Sequence, residues 1–203
     1  MPIFEELVYT ANDGVATIRL NRPEVLNAFS SNLYGELRDA VRAADVDPSI
    51  DVMVVTGTGR AFGTGGDLAE VQGILASGDP LAMYRFYDNL PWDALRDSTT
   101  VIVAAINGVC LAGGLITALA CDLSIATASA TFGFNEAKVG IADRMAPSLL
   151  FGRVSAAKAK QLLLTSIPID ATEAERIGLI TEVVPDDPRR WAHYSRDPER
   201  SGR

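Results

Sequence analysis

Residues 57–68 constrain this chain more than any other stretch. Five glycines fall within ten positions, at 57, 59, 63, 65 and 66, directly after the β-branched run Asp51–Thr56. A buried strand is expected over 51–56. A helix is expected from Asp67, whose side chain can accept from the first free amides, with Glu70 three residues on completing a capping-box-like pair. Between strand and helix the backbone must turn tightly or approach another group closely, which glycine permits. An amide such as that of Gly66 can then face a ligand, as in oxyanion holes and phosphate cradles. Two plainer readings compete: a surface turn, and a dinucleotide-binding turn, since Gly57-x-Gly59 follows a strand. The dinucleotide fingerprint requires its third glycine at 62 and a helix directly behind; this chain has glycine at 63 and a later helix.

The same layout recurs downstream. Ala104-Ala105-Ile106-Asn107-Gly108 is an apolar strand entering a glycine turn, and Gly113-Gly114 opens an apolar helical stretch. Val101–Cys121 is 21 residues without a charge, long enough to cross a membrane. Asn107, three glycines and the lack of a flanking Lys/Arg cluster argue instead for a buried strand, turn and helix.

Around these two units the chain alternates. Leu7–Thr10 and Val15–Leu20 flank Asn12-Asp13-Gly14, a hairpin signature, and Asn21–Phe29 reads as a loop. Ser30 or Ser31 caps a helix carrying Leu33, Leu37, Val41 and Ala44 on one face, with stop signals at Asp47-Pro48. Helices over 67–77 and 81–97 are separated by Gly78-Asp79-Pro80. The second carries Tyr84, Phe86, Tyr87, Leu90 and Trp92, read as core, subunit contact or the wall of an acyl site. Leu123–Thr127 and Thr131–Phe134 are short strands, Ser155–Thr165 and Ala171–Ile177 are helices, and Leu179–Val184 is a last strand. Interleaved strands and helices predict an α/β fold with parallel pairing. Residues 1–184 are expected to form one domain. Residues 185–203 hold three prolines and five of the fifteen arginines without apolar periodicity, and read as a disordered tail.

Taken together, Ala61-Phe62-x-x-Gly65-x-Asp67-Leu68 and Asn107-Gly108-x-x-x-x-Gly113-Gly114 resemble the crotonase family, also called the enoyl-CoA hydratase/isomerase family. Asn21-Arg22-Pro23-Glu24-Val25-Leu26-Asn27-Ala28 resembles its N-terminal motif, and Phe132-Gly133-x-x-Glu136 its catalytic-glutamate motif. The resemblance implies a spiral of ββα turns acting on a coenzyme A thioester, with no other cofactor and no metal. It assigns Gly66 and Gly113 as oxyanion donors and Glu136 as the acid–base group. It assigns Asn27, Ala28, Ala61, Gly65, Asp67 and Leu68 to CoA binding, the backbone near Asn27 and Ala28 taking the adenine end. Asp143 stands where some isomerases and synthases carry a catalytic aspartate, and is explained equally as a helix cap. Family members usually continue into several helices that cover the acyl site and knit a trimer. This sequence stops before them, so a weakened trimer-type homo-oligomer is expected.

A thioester carbonyl acidifies its α-carbon, and two amides aimed at the enolate oxygen stabilise the charge as it forms. Hydratases of the family use two glutamates. The first position is matched here by Ile116 and the second by Glu136, whose apolar surroundings would raise its pKa; a surface charge between strand and helix is the competing reading. A single carboxylate suits a double-bond shift better than hydration, which places isomerase-type chemistry ahead of hydratase. The alternative is a non-catalytic CoA-ester-binding or assembly subunit, supported by Ile116 and the missing helices.

Composition narrows the partners. With 48% hydrophobic and 22% charged residues the chain can bury a core, and a net charge of −8 disfavours nucleic acid or an anionic membrane. Only Lys138, Lys158 and Lys160 are lysines, so arginines must meet most of the CoA phosphate charge. The sole histidine, His193, lies in the tail, which argues against a His-based triad or a His/Cys metal cluster. Cys110 and Cys121 sit in apolar context as small core residues of a reducing compartment. The start, Met-Pro-Ile-Phe-Glu-Glu, has neither region of a signal peptide, and a cytoplasmic location is expected.

Overall fold

The computed structural model describes residues 3–140 and 145–186, without the side chains of Met83, Tyr84 and Tyr87. Asp143, His193 and residues 187–203 of the tail lie outside the described residues.

Strands β1 (Leu7–Asn12) and β2 (Val15–Leu20) pair antiparallel across a two-residue turn. Asp13 and Gly14 there have φ of 49° and 80°, the left-handed pair that matches the twist of a tight hairpin. Helix α1 (Ser31–Asp45) starts at Ser30, whose hydroxyl accepts from the Leu33 amide at 2.9 Å. It buries Leu33, Tyr34, Leu37, Ala40, Val41 and Ala44.

From Val52 the chain makes one move three times. A strand joins a large sheet, a short strand joins a small one, and a helical segment returns. The first turn is β3 (Val52–Gly57), β4 (Ala61–Gly63) and α2 (Leu68–Ala76), followed by α3 (Ala82–Asp88) and α4 (Trp92–Asp97). The second is β5 (Val101–Ile106), β6 (Val109–Leu111) and α5 (Gly113–Ala120). The third is β7 (Leu123–Thr127), β8 (Thr131–Gly133) and a 3-10 turn over Glu136–Val139. The described chain closes with α6 (Ala146–Leu150), α7 (Ala156–Thr165), β9 (Ile169–Asp170), α8 (Ala171–Arg176) and β10 (Glu182–Val184).

The large sheet runs β1-β2-β3-β5-β7-β10, parallel from β2 onward; the small one runs β4-β6-β8-β9, parallel through its first three strands. This is the expected spiral of ββα turns. Its consequence for function is geometric: each turn advances the small sheet by one strand, so the carboxyl ends of β4, β6 and β8 fall side by side.

The core includes Phe29, Phe62, Phe132 and Phe134, all fully buried with Met53, Ile106 and Leu115. Side chains of this size contribute roughly 1.5–3 kcal/mol each. Cys110 and Cys121 are buried free thiols, and burial, with Asp122 adding to it, pushes Cys121 up to about 12. The uncharged stretch 101–121 divides into β5, β6 and α5, and no helix among the described residues is long and apolar enough to cross a membrane.

Three local expectations are corrected. The helix expected over 81–97 is two helices, because Pro91 cannot donate to a continuing ladder. Both glycine turns contain a short strand, β4 or β6, so no helix follows Gly57-x-Gly59 and the dinucleotide reading fails. Glu70 does not turn back on the Asp67 amide, which donates to the Phe29 carbonyl; its carboxylate accepts from the Ser31 amide (2.9 Å) and hydroxyl.

Candidate active site

Loops leaving the carboxyl ends of parallel strands are where α/β folds place ligands. In the small sheet, Gly66 lies three residues past β4, Gly113 two past β6 and Glu136 three past β8. Three of the four residues nominated for chemistry therefore sit on adjacent loops, in strand order; the fourth, Asp143, lies outside the described residues.

A single parallel bridge sets the direction of the Gly66 amide. Phe29 donates to the Gly65 carbonyl and accepts from the Asp67 amide, both at 2.8 Å. The residue between such a pair turns its own N–H and C=O to the far side. Gly113 is the first residue of α5, so its amide has no acceptor within the helix. Among the described residues neither amide donates a hydrogen bond.

The two segments are in close contact. A β-carbon on Gly65, itself at φ +92°, would collide with that of Ala112 and lie 3.1 Å from the Gly113 nitrogen. One on Gly113 would lie 3.3 Å from the Gly65 Cα and 3.7 Å from the Gly66 nitrogen, and would run into the Tyr34 hydroxyl. Gly114 does the packing that the Gly113-Gly114 pair was also open to: a side chain there would strike the Gly63 carbonyl.

Ala112 makes the approach possible at a cost. Its φ of 51° and ψ of −127° form a conformation that L residues rarely adopt, with strain on the order of 1–3 kcal/mol. It is held by its amide donating to the Gly133 carbonyl (2.9 Å) and its own carbonyl accepting from Ile116 (3.0 Å). The strain turns β6 into α5 within one residue, setting the positive end of that helix beside Gly65 and Gly66.

The wall is aromatic. The Tyr34 ring stacks on Phe29 at 4.6 Å and meets Phe86 and Trp92 edge-on at 5.9 and 5.6 Å. Sequence reading missed Tyr34, although its spacing to Leu37 and Val41 fits the apolar stripe of α1.

A polar frame fixes the loops. Arg22 pairs with Glu6 (3.0 Å) and Asp67 (3.1 Å) and donates to the Ala28 carbonyl (2.6 Å). Burial alone would raise the Asp67 pKa, but hydrogen bonds from the Glu70 amide, Arg22 and the Ala69 amide outweigh it and hold the carboxyl below its usual value. Asn27 is fully buried; its Nδ2 donates to the carbonyls of Thr58 (3.0 Å) and Ala61 (2.8 Å), and its Oδ1 accepts from the Arg22 amide (2.9 Å).

Of the residues assigned to CoA, then, the side chains of Asn27 and Asp67 are committed to the protein itself, and Ala61 and Gly65 are buried. Ala28 is half-buried, and Leu68 is 51% exposed. Oε2 of Glu136 is shielded from solvent, and Ile116 is 2% exposed within the core.

Fold and candidate site together define an α/β protein of the ββα-spiral class, with the candidate loops at the carboxyl ends of the small-sheet strands. The sequence profile of the enoyl-CoA hydratase/isomerase family matches residues 10–194. A Mycobacterium bovis protein described as "Probable enoyl-CoA hydratase echA8" is 37% identical over 185 residues, covering 91% of this chain and 70% of the relative. The crotonyl-CoA hydratase of Syntrophomonas wolfei is 32% identical, with 89% and 70% covered. Among solved structures, an enoyl-CoA hydratase/carnithine racemase from Magnetospirillum magneticum superposes with a TM-score of 0.87 at 27% identity, over 95% of this chain and 74% of the other. The chain belongs to the enoyl-CoA hydratase/isomerase, or crotonase, family.

Proposed function

We propose that this protein is an acyl-CoA enzyme of the enoyl-CoA isomerase or hydratase type, in which the amides of Gly66 and Gly113 receive the enolate oxygen of a bound thioester. The observation that carries the reading is the close approach of two glycine segments whose amides, at Gly66 and Gly113, do not donate within the described protein, with a side chain at 65 or 113 colliding across the gap. The names of the relatives support the enoyl-CoA substrate class.

In this reading Glu136, on the loop beside Gly113, removes a proton from the α-carbon. The electron pair moves onto the carbonyl oxygen, where the amides and the α5 dipole stabilise the charge. Returning the proton at the γ-carbon completes a double-bond shift. Hydration needs a second group to orient water, and at the position where hydratases carry it this chain has buried Ile116. Isomerisation is therefore the leading reaction.

A panel of enoyl-CoA thioesters, with products read by mass spectrometry, tests this directly. The 3-enoyl thioesters should be isomerised faster than 2-enoyl thioesters are hydrated. Glu136→Gln should abolish turnover while leaving thioester binding nearly intact, since it keeps the shape and removes the base. Parent-rate turnover by that variant would remove Glu136 from the mechanism.

A further inference from the structure

We propose that Tyr34 is a further catalytic residue of this site, its phenol hydroxyl donating a third hydrogen bond to the oxygen held by the Gly66 and Gly113 amides. The proposal rests on the oxyanion reading above and extends it to a side chain from a different part of the chain.

Three observations carry it. First, a β-carbon built on Gly113 would run into the hydroxyl and would itself lie 3.7 Å from the Gly66 nitrogen. The hydroxyl therefore adjoins Gly113 on the side where Gly66 also lies. Second, the ring is fixed on three sides, stacked on Phe29 and edge-on to Phe86 and Trp92. A phenol held this way need not be reorganised when charge develops, the condition under which an oxyanion donor is most effective. Third, Phe29 supports both groups: its backbone turns the Gly66 amide outward and its ring carries Tyr34. Donor and amide are positioned by one residue.

The chemistry favours a donor over an acid. A phenol hydroxyl can share its proton with an enolate oxygen through a hydrogen bond without transferring it. The α-proton still goes to Glu136. A hydrogen bond that strengthens as charge accumulates acts on the rate more than on binding.

The test uses Tyr34→Phe, which keeps the ring among Phe29, Phe86 and Trp92 and removes only the oxygen. The probe is acetoacetyl-CoA, a β-ketoacyl thioester whose enolate absorbs in the near ultraviolet, so stabilisation is read without turnover. Butyryl-CoA, which forms no comparable enolate, reports binding by calorimetry. Thermal unfolding of Tyr34→Phe against the parent controls for packing.

The expected result is that Tyr34→Phe binds butyryl-CoA as the parent does, while the enolate fraction of bound acetoacetyl-CoA falls about 10-fold or more, as for a lost bond to a charged group. With 3-enoyl-CoA, kcat should fall at unchanged KM, with Tm close to that of the parent. If Gly66→Pro erases the enolate signal and Tyr34→Phe does not, the inference is overturned and the amide-pair reading stands. Loss of the enolate only together with a comparable loss of butyryl-CoA binding and a lowered Tm would also overturn it, assigning Tyr34 to packing. If the parent protein binds acetoacetyl-CoA without enriching its enolate, or does not bind it, both readings fall.

Discussion

Replacing Gly66 by proline separates the role of its amide from the stability of the fold. The flanking bonds belong to Gly65 and Asp67, so the Gly66 N–H can be removed without breaking a backbone hydrogen bond of the described protein. Gly66 is also not among the residues with positive φ, which proline could not adopt. Gly113 offers no comparable experiment. Proline is favoured at the first position of a helix, but any β-carbon there collides with the Tyr34 hydroxyl. Gly66→Ala supplies the companion variant: it keeps the N–H, and its β-carbon meets only Phe86 Cζ, at 3.8 Å. The difference between proline and alanine at 66 therefore measures the donor. Loss of one oxyanion donor costs about 2.7–4 kcal/mol of transition-state stabilisation, or roughly 10²–10³ in kcat. Steady-state kinetics on 3-enoyl-CoA would show this in kcat, with thermal unfolding of the two variants similar. Turnover of folded Gly66→Pro at the rate of Gly66→Ala would refute the argument. A loss wholly in KM would show that the amide binds substrate and transition state equally.

Ile116→Glu should raise the ratio of hydration to isomerisation in the same product assay, and lower Tm, because it places an ionisable group at a position 2% exposed. Glu173 accepts from Arg176 (2.7 Å) and Lys158 (3.0 Å), which hold its carboxyl at about 2. Its folded value lies below the ordinary glutamate value near 4.3, so its contribution is present above that pH and lost as pH falls toward about 2. Glu173→Gln should flatten the decline of the urea midpoint across that window. At Gly73, exposed within α2, an added methyl group would meet nothing within 4 Å, so Gly73→Ala should raise stability by about 0.5–1 kcal/mol, read by denaturant titration.

Much of the fold was legible because its signals are local. The hairpin is written in Asn12-Asp13-Gly14, and α1, α2, α7 and α8 begin at side chains that accept their first free amides: Ser30, Asp67, Ser155 and Asp170. What escaped was tertiary. Strands β4 and β6 are three residues each, too short for a period, and exist because neighbouring turns of the spiral pair them. Glu70 had the spacing of a capping box, but Ser31 competes for its carboxylate across the loop. The glycines at 66 and 113 could be nominated from motif, yet their relation depends on the Phe29 bridge and the strain at Ala112. Neither is a property of residues near Gly66 in sequence. Tyr34 carried no signal of its own, since an aromatic on an apolar helix face belongs by default to the core.

The motif asparagines show how such a site is kept in register. Asn107 accepts from the Gly57 amide at 3.0 Å and donates to the carbonyls of Gly59 (2.9 Å) and Ala61 (3.2 Å). Asn27 donates to the same Ala61 carbonyl, at 2.8 Å. Two side chains from distant loops thus converge on one backbone oxygen at the start of β4, a few residues before Gly66. A carbonyl has two lone pairs, and here both are used. The loop from Gly57 to Ala61 is fixed by side-chain bonds where it lacks secondary structure, and β4 inherits that position. Leaving one such buried group unmade costs about 1–3 kcal/mol, so the asparagines act first on the fold and through it on the amides. Motif residues in this chain therefore divide into those that face the reacting oxygen in our reading and those that hold the backbone behind it. The second group explains why asparagine, which can accept and donate at once, occupies positions 27 and 107.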